Sequence, residues 1–473
     1  MLTLSNGCAS VGGMVNHHFG ALVYIFVFAL SFGAETANAT ITLLAKDKWR
    51  VEMNGFAEVD TISDSTRSYR EVLGNSPVSL PNTASGANGR TQFSMRDSRL
   101  ALSLFPPEFK GWTPKAYFEF DFLGYDPSNT NVISGSSPPN NSETSFFSSP
   151  TLRIRHFYLQ VESDGFSVLV GQYWNLLGWQ PYYFLGTIEP SPLPGMLYQR
   201  NVQLRGTKTI KFGDYKSLSA AIAAVRPPQA DSQTPSLEAG LRFAMGERTS
   251  GFVAGGSARK SQPMSIAISG TLRDFAIPSS DGVNGDNTHY AGSAIAVDAM
   301  VPILASADGV DVSNTLSLLG EFTSGIGYGD QLVGWTGNTS NPLNTSANVP
   351  SKNVNLDGGI GDYDHSATFH LIHLQTFNLQ AQYHLPEFTT TWISVGYSRL
   401  FSNNIGDVAF NGQSTSSGAF AYNRNQLAFV NVAHDVTPEI RVGLEYDHIK
   451  TDYDAISTSA SNNRYFGAFY FIF

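Results

Sequence analysis

The chain ends on Tyr465-Phe-Gly-Ala-Phe-Tyr-Phe-Ile-Phe473, and no other stretch limits its fold as tightly. Phe469, Phe471 and Phe473 stand two apart, so an extended chain puts all three on one face. Water is a poor solvent for such a face. The lipid side of a membrane strand suits it, with aromatic residues gathered in girdles at either interface. A strand in hydrocarbon needs hydrogen-bond partners on both edges, so it cannot stand alone. The ending therefore predicts an all-β transmembrane antiparallel β-barrel that closes on its last strand.

Hydrophobic residues make up 42% of the chain, yet beyond the first 40 residues no run approaches the ~20 apolar residues of a helical span. Charged residues are 14%, against roughly 25% in ordinary soluble domains. An apolar outer face and long uncharged loops produce such a deficit. The net charge of −10, with no basic block, excludes nucleic acid as a partner. It leaves anionic solutes open, because the local field of a pore can oppose the net charge.

Residues 19–32 are apolar, and Ala37-Asn38-Ala39 offers a small-x-small cleavage site before Thr40. Residues 1–39 thus read as a signal peptide and 40–473 as one barrel domain. No Lys or Arg precedes Lys46, and a start at Met14 would give a signal of ordinary length. Cys8, the one cysteine, falls in the removed part, in a poor lipidation context. The mature chain then has neither disulfides nor a thiolate metal site.

Period-two alternation recurs along the mature chain. Glu58 and Asp60 oppose Ala57 and Val59; Glu119 and Asp121 oppose Phe118, Phe120 and Phe122; Gln380 and Gln382 oppose Leu379 and Ala381. Short connections at 106–111, 163–165, 213–215, 246–250, 385–388 and 434–439 take turns with long polar ones at 63–90, 126–150, 327–366, 402–424 and 452–463. That is the separation expected of short periplasmic turns and long extracellular loops, with both termini in the periplasm. The walk gives about 16 strands, residues 251–275 reading as one strand or two.

Arg153 and Arg155, two apart, share a face. Arg99 opposes Leu100, Leu102 and Leu104, Arg205 opposes Val202 and Leu204, and Arg242 opposes Leu241 and Phe243. An Arg turned to lipid near mid-bilayer would cost ~2–4 kcal/mol, so all five are assigned to the lumen. Arg96 has the opposite parity to Arg99 and is left out of that set. In the lumen the five either attract anions or pair with wall carboxylates such as Glu119, Asp121 or Glu238. The stretch 174–198 holds Trp174, Trp179, Tyr182, Tyr183, Phe184 and Tyr198, four prolines, and Glu189 as its only charge. Such a loop is expected to fold into the barrel or against a neighbouring subunit, and its rings could also stack on sugars. His370 and His373 differ in parity and cannot share a metal, and Asp362, Asp364 and His365 read as a solvated rim. No nucleophile elbow or phosphate loop occurs, so no catalytic, metal or cofactor site is expected.

Pro150-Thr-Leu-Arg-Ile-Arg-His-Phe-Tyr-Leu159, Gly171-Gln-Tyr-Trp174 and Arg200-Asn-Val-Gln-Leu-Arg205 follow one another as strand, strand, inserted loop and strand. With Asn54-Gly-Phe56, Ser269-Gly-Thr-Leu-Arg273, Gly325-Ile-Gly-Tyr328 and Val442-Gly-Leu-Glu-Tyr446, this order resembles the DcaP-like trimeric outer-membrane porins over nearly the whole mature chain. The chain departs from them in a longer segment at 246–263 and in Phe157, where the family has a small residue. The resemblance implies a homotrimer of 16-stranded barrels in the bacterial outer membrane, surrounded by lipid and lipopolysaccharide. It implies diffusion of small anionic solutes, dicarboxylates above all, through a constriction at the loop 174–198 flanked by Arg153, Arg155, Arg200 and Arg205. The strand ending in Phe473 resembles the signal read by the barrel-assembly machinery. A carbohydrate-selective porin and a barrel scaffold or adhesin acting through its extracellular loops stay open beside the anion channel.

Overall fold

A computed structural model of the chain describes residues 40–124, 151–179, 186–188, 192–213, 215–229, 231–246, 264–278, 287–306, 311–337, 356–364, 368–386, 390–408, 420–453 and 456–473. Residues 1–39, expected to be a signal peptide and holding Cys8, the loop 126–150, His365, and Tyr182, Tyr183, Phe184 and Glu189 lie outside the described residues. The strands are β1 (Ile41–Lys46), β2 (Trp49–Asp64), β3 (Arg90–Ser94), β4 (Arg99–Phe105), β5 (Thr113–Gly124), β6 (Thr151–Ser163), β7 (Phe166–Trp174), β8 (Arg200–Phe212), β9 (Lys216–Val225), β10 (Ser236–Met245), β11 (Met264–Pro278), β12 (Asn287–Leu304), β13 (Leu316–Ile326), β14 (Gly361–Tyr363), β15 (Phe369–Leu371), β16 (His373–His384), β17 (Thr391–Ser402), β18 (Arg424–Asp435), β19 (Ile440–Tyr453) and β20 (Thr458–Ile472). All but β14 and β15, which pair with each other, belong to one antiparallel sheet. β3 and β4 pair with successive parts of β2 and make one interrupted strand. β1 only lengthens the edge of β2, so the closed cylinder has 16 staves.

Closure joins β2 to β20 from Phe56↔Ile472 to Asp64↔Arg464, and Gly55 and Phe473 exchange two backbone hydrogen bonds of 2.8 and 3.0 Å. Side chains alternate as the pleat requires: Leu237 and Leu241 are about half exposed on the outer face, whereas Glu238 and Arg242 are buried inside. Phe469 and Phe471 point outward. At one end most strands turn tightly, the connections 246–263 and 305–315 being longer. Asp164 and Gly165, both at positive φ (46° and 69°), make the two-residue turn between β6 and β7. At the other end most connections are long, the shorter ones being 226–235, 279–286 and 454–457.

Three details differ from the sequence reading. The connection expected at 246–250 runs from 246 to 263, because Met245 of β10 pairs directly with Met264 of β11; its residues 247–263 are outside the described ones. Of the stretch 251–275, the described residues 264–275 belong to one strand, β11. The loop expected at 452–463 is only 454–457, since Tyr453 pairs with Thr458. Ser459, Ser461 and Asn463 point outward there, so polarity marks a strand running past the lipid. β1, with Asp47 and Lys48 at positive φ in its turn, has no counterpart among the expected strands.

The largest apolar core lies inside the barrel at the long-loop end. Tyr69, Leu73, Val78 and Leu80 from the first loop meet Leu193, Met196 and Leu197, then Tyr328, Leu332 and Trp335, and Tyr422. Inward Leu374, Leu400, Leu427 and Ile449 of β16–β19 complete it. The core therefore fills the β16–β20 side of the lumen.

Candidate functional site

The opposite wall, β4–β8, is charged. A β-bulge opposite Glu119 and Phe120 inserts one residue into β6, so Arg153, Arg155 and His156 all turn inward. Arg153 grips Asp121 with both arms of its guanidinium, Nε at 2.9 Å and Nη2 at 2.6 Å. Arg155 donates to Glu119 (2.5 Å), Asp121 (3.0 Å) and the Tyr198 hydroxyl (3.1 Å). Arg99 lies 3.8 Å from Glu119 and over the Phe56 ring. Both carboxylates are buried beneath these arginines, while the Arg153 side chain keeps 37% of its surface open. Arg200, half-buried, sits 4.5 Å above the Trp174 ring and 5.1 Å from that of Tyr198. Among the described residues Arg200 has no hydrogen bond or ion pair, and its Nη1 is buried without a partner. Burial opposes ionisation of the Tyr198 phenol, but the guanidinium groups of Arg155, Arg200 and Arg99 outweigh it and bring its pKa down to about 8.

The loop between β7 and β8 crosses the lumen on fixed points. The amides of Leu176 and Leu177 donate to one oxygen of Glu238 at 2.6 and 3.0 Å, and that of Gly178 to the Ser269 hydroxyl. On the far wall Ile188 N–H donates to Glu445 (2.7 Å), and the Tyr470 hydroxyl donates to the Ile188 carbonyl (2.6 Å). Asn431 donates to the Gly186 carbonyl and to Glu445. On the return, Leu197 N–H donates to Glu321 at 3.0 Å, and residues 195–198 form a short ribbon with 331–333. Leu176 and Trp179 pack on Ala221, Ala223 and Ala267 of β9–β11, and Ile188 packs on Trp392 and Tyr470. Gly443 is needed for that approach, because a Cβ there would stand 2.6 Å from Ile188. With the loop and the outer core in place, solvent reaches the wall at Lys115, Tyr117, Arg153, Tyr173 and Arg200.

Residues 27–455 match the sequence model of the Gram-negative porin family. The chain belongs to the Gram-negative porins. Among solved structures, the porin is similar to the outer membrane channel DcaP of Acinetobacter baumannii, with a TM-score of 0.59 and 16% identity over 91% of this chain and 99% of that one. It is also similar to the anion-selective porin from Comamonas acidovorans (TM-score 0.48, 10% identity, 90% and 100% covered) and to OprB of Pseudomonas putida (0.47, 12%, 89% and 94%). At such identities the likeness is one of fold. None of the curated proteins matches it significantly.

Of the residues singled out in the sequence, the porin brings Arg99, Arg153, Arg155, Arg200 and Trp174 together, and sets Arg205 beside them. Arg205 donates to Gln203 and to the Trp174 carbonyl, and lies over the Tyr173 ring. Arg242 is inward but apart, on β10, about 19 Å around the wall from β6 at ~4.8 Å per strand. Glu189 lies outside the described residues. Arg99, Arg153 and Arg155 pair with wall carboxylates; Glu238, named as a partner for arginine, instead holds loop amides. Arg96, left out on parity, is buried against Glu71 at the break between β3 and β4, where the pleat is interrupted. His156, ringed by Tyr117, Tyr158, Tyr173 and Trp174, is missed by sequence reasoning because the bulge that turns it inward has no sequence signature.

Proposed function

We propose that this outer-membrane channel passes small hydrophilic anions, dicarboxylate-like in size and charge, through a constriction between the β4–β8 wall and the loop 174–198. One observation carries the reading: at this level Glu119 and Asp121 are buried under their arginines, while Arg153 and Arg200, the latter unpaired among the described residues, keep part of their surface open. A carboxylate arriving there meets the open side of guanidinium groups whose acidic partners, among the described residues, are buried behind them, and a cation meets net positive charge. The sequence resemblance to trimeric porins supports a homotrimer surrounded by lipid and lipopolysaccharide, inserted by the barrel-assembly machinery through the Phe473 strand.

Single-channel recordings of the purified protein in planar bilayers test this. A KCl gradient is expected to give a reversal potential of anion preference, reduced in Arg153→Gln and Arg200→Gln; cation preference in the parent would overturn the reading. The ring cluster Tyr117, Tyr158 and Tyr173 favours a second solute class, since such faces stack on sugars. Block of the current by maltose-like sugars but not by succinate would transfer the assignment to carbohydrate.

A further inference from the structure

At the long-loop end the outer face of most strands is neutral: Leu152 on β6, Val202 on β8, Ala224 on β9 and Leu237 on β10. Asp274 on β11 carries an acid there, held by His289 at 3.0 Å. β17–β19 are different. Going toward the long loops, the outward row of β17 reads Ile393, Val395, Tyr397, then Arg399; that of β18 reads Val430, Ala428, Gln426, then Arg424; that of β19 reads Leu444, Tyr446, His448, then Lys450. Register sets Arg399 beside Gln426, Gln426 beside Lys450, and Arg424 beside Asp452. Three cations thus stand on adjacent strands, within about 10 Å at ~4.8 Å per strand.

Among the described residues they have one acidic neighbour, and it is shared. Asp452 accepts from Arg424 Nη1 at 3.2 Å and from Lys450 Nζ at 3.3 Å, which leaves two positive charges over. Arg399 has no hydrogen bond or ion pair among the described residues; it lies 5.4 Å from the Phe401 ring with its Nε buried and unmatched. Arg424 Nε is unmatched too. Just below, Tyr397 donates to Gln426 and the rings of Tyr446 and Tyr465 meet at 5.3 Å, an aromatic girdle with aliphatic residues beneath. Lys450 lies ten residues above Ile440, which is ~33 Å of strand and ~25 Å along the membrane normal at a tilt of ~40°. That is the height of the apolar band, so the cations stand at the headgroups of the outer leaflet.

We propose that Arg399, Arg424 and Lys450 form a binding site for the phosphate of a phosphorylated glycolipid of the outer leaflet, whose acyl chains lie along the outward aliphatic row of β17–β19. A phosphate carries close to two negative charges and offers several acceptor oxygens, matching the excess charge of the three side chains. The proposal rests on the outer-membrane orientation of the porin, with the long loops outside.

The test uses the full mature protein in detergent, followed by native mass spectrometry during titration with bis-phosphorylated lipid A, with dephosphorylated lipid A, and with lipid A plus excess inorganic phosphate. The variant Arg399→Gln/Arg424→Gln/Lys450→Gln is compared with Lys208→Gln/Lys211→Gln/Lys216→Gln at the opposite end. Removing the three cations, or the lipid's phosphates, is expected to weaken binding by at least about tenfold. The opposite-end variant should bind like the parent, and inorganic phosphate should not displace the lipid. Equal lipid A binding by parent and triple variant, or equal binding of the dephosphorylated lipid, overturns the proposal. Displacement by inorganic phosphate alone overturns its lipid part. Should the triple variant fail to fold, Arg399→Gln serves, with weakening of the same sign expected. Conductance and anion preference, recorded on the same preparations, do not depend on this outer cluster and so report separately on the channel.

Discussion

Removing one partner of a buried ion pair leaves the other charge uncompensated, at roughly 3–5 kcal/mol, and Arg155 has two buried partners, Glu119 and Asp121. Arg155→Gln is therefore expected to lower the temperature at which the folded, heat-modifiable barrel is lost. Among the described residues Arg200 has no acid to abandon, so Arg200→Gln should leave that temperature unchanged and act on selectivity alone. Tyr198 adds a pH dependence with a definite sign. Its pKa, lowered to about 8, makes it neutral below and a phenolate above, so the wall loses one unit of positive charge as pH rises. Anion preference measured by reversal potential should fall between about pH 7 and pH 9, and Tyr198→Phe should remove that part of the dependence. Parity suffices to turn Arg153 and Arg155 to the same side. It cannot tell which arginine lies against an acid and which stays bare, because that depends on strands distant in sequence.

At the scale of elements, the crossing loop is held by carboxylates that accept backbone N–H groups: Glu238, Glu321 and Glu445. Losing such an acceptor orphans a buried amide at about 1–3 kcal/mol. Glu445→Ala should release the loop near Ile188 and show as larger, noisier single-channel currents, whereas Glu445→Gln keeps an acceptor oxygen and should behave like the parent. Quiet currents in the alanine variant would show that the packing of Ile188 on Tyr470 holds the loop by itself. The inward course of the loop is legible in its prolines and aromatic residues. Its anchors are not, since a glutamate facing a lumen looks the same whether an arginine or a peptide N–H arrives.

Across the whole molecule, the barrel, its stave number and the shared end of both termini follow from alternation and loop lengths. The misread part 452–463 is where polarity and strand length part company: a strand need be apolar only within the lipid. Gly55 is where three strands converge, and a Cβ there would stand 2.3 Å from the Arg99 carbonyl, backbone against backbone. Gly55→Ala is expected to reduce the yield of heat-modifiable protein, which gel mobility before and after heating measures. The same junction governs the order of events in folding. Asp64 and Arg464, hydrogen-bonded across the seam, are 400 residues apart, and Phe473 is itself one of the stitches. Every other stave pairs with its neighbour in sequence. The last ligature brings the two ends of the barrel together, and until it forms the open cylinder carries two raw edges of unpaired peptide groups, open to any other strand within reach.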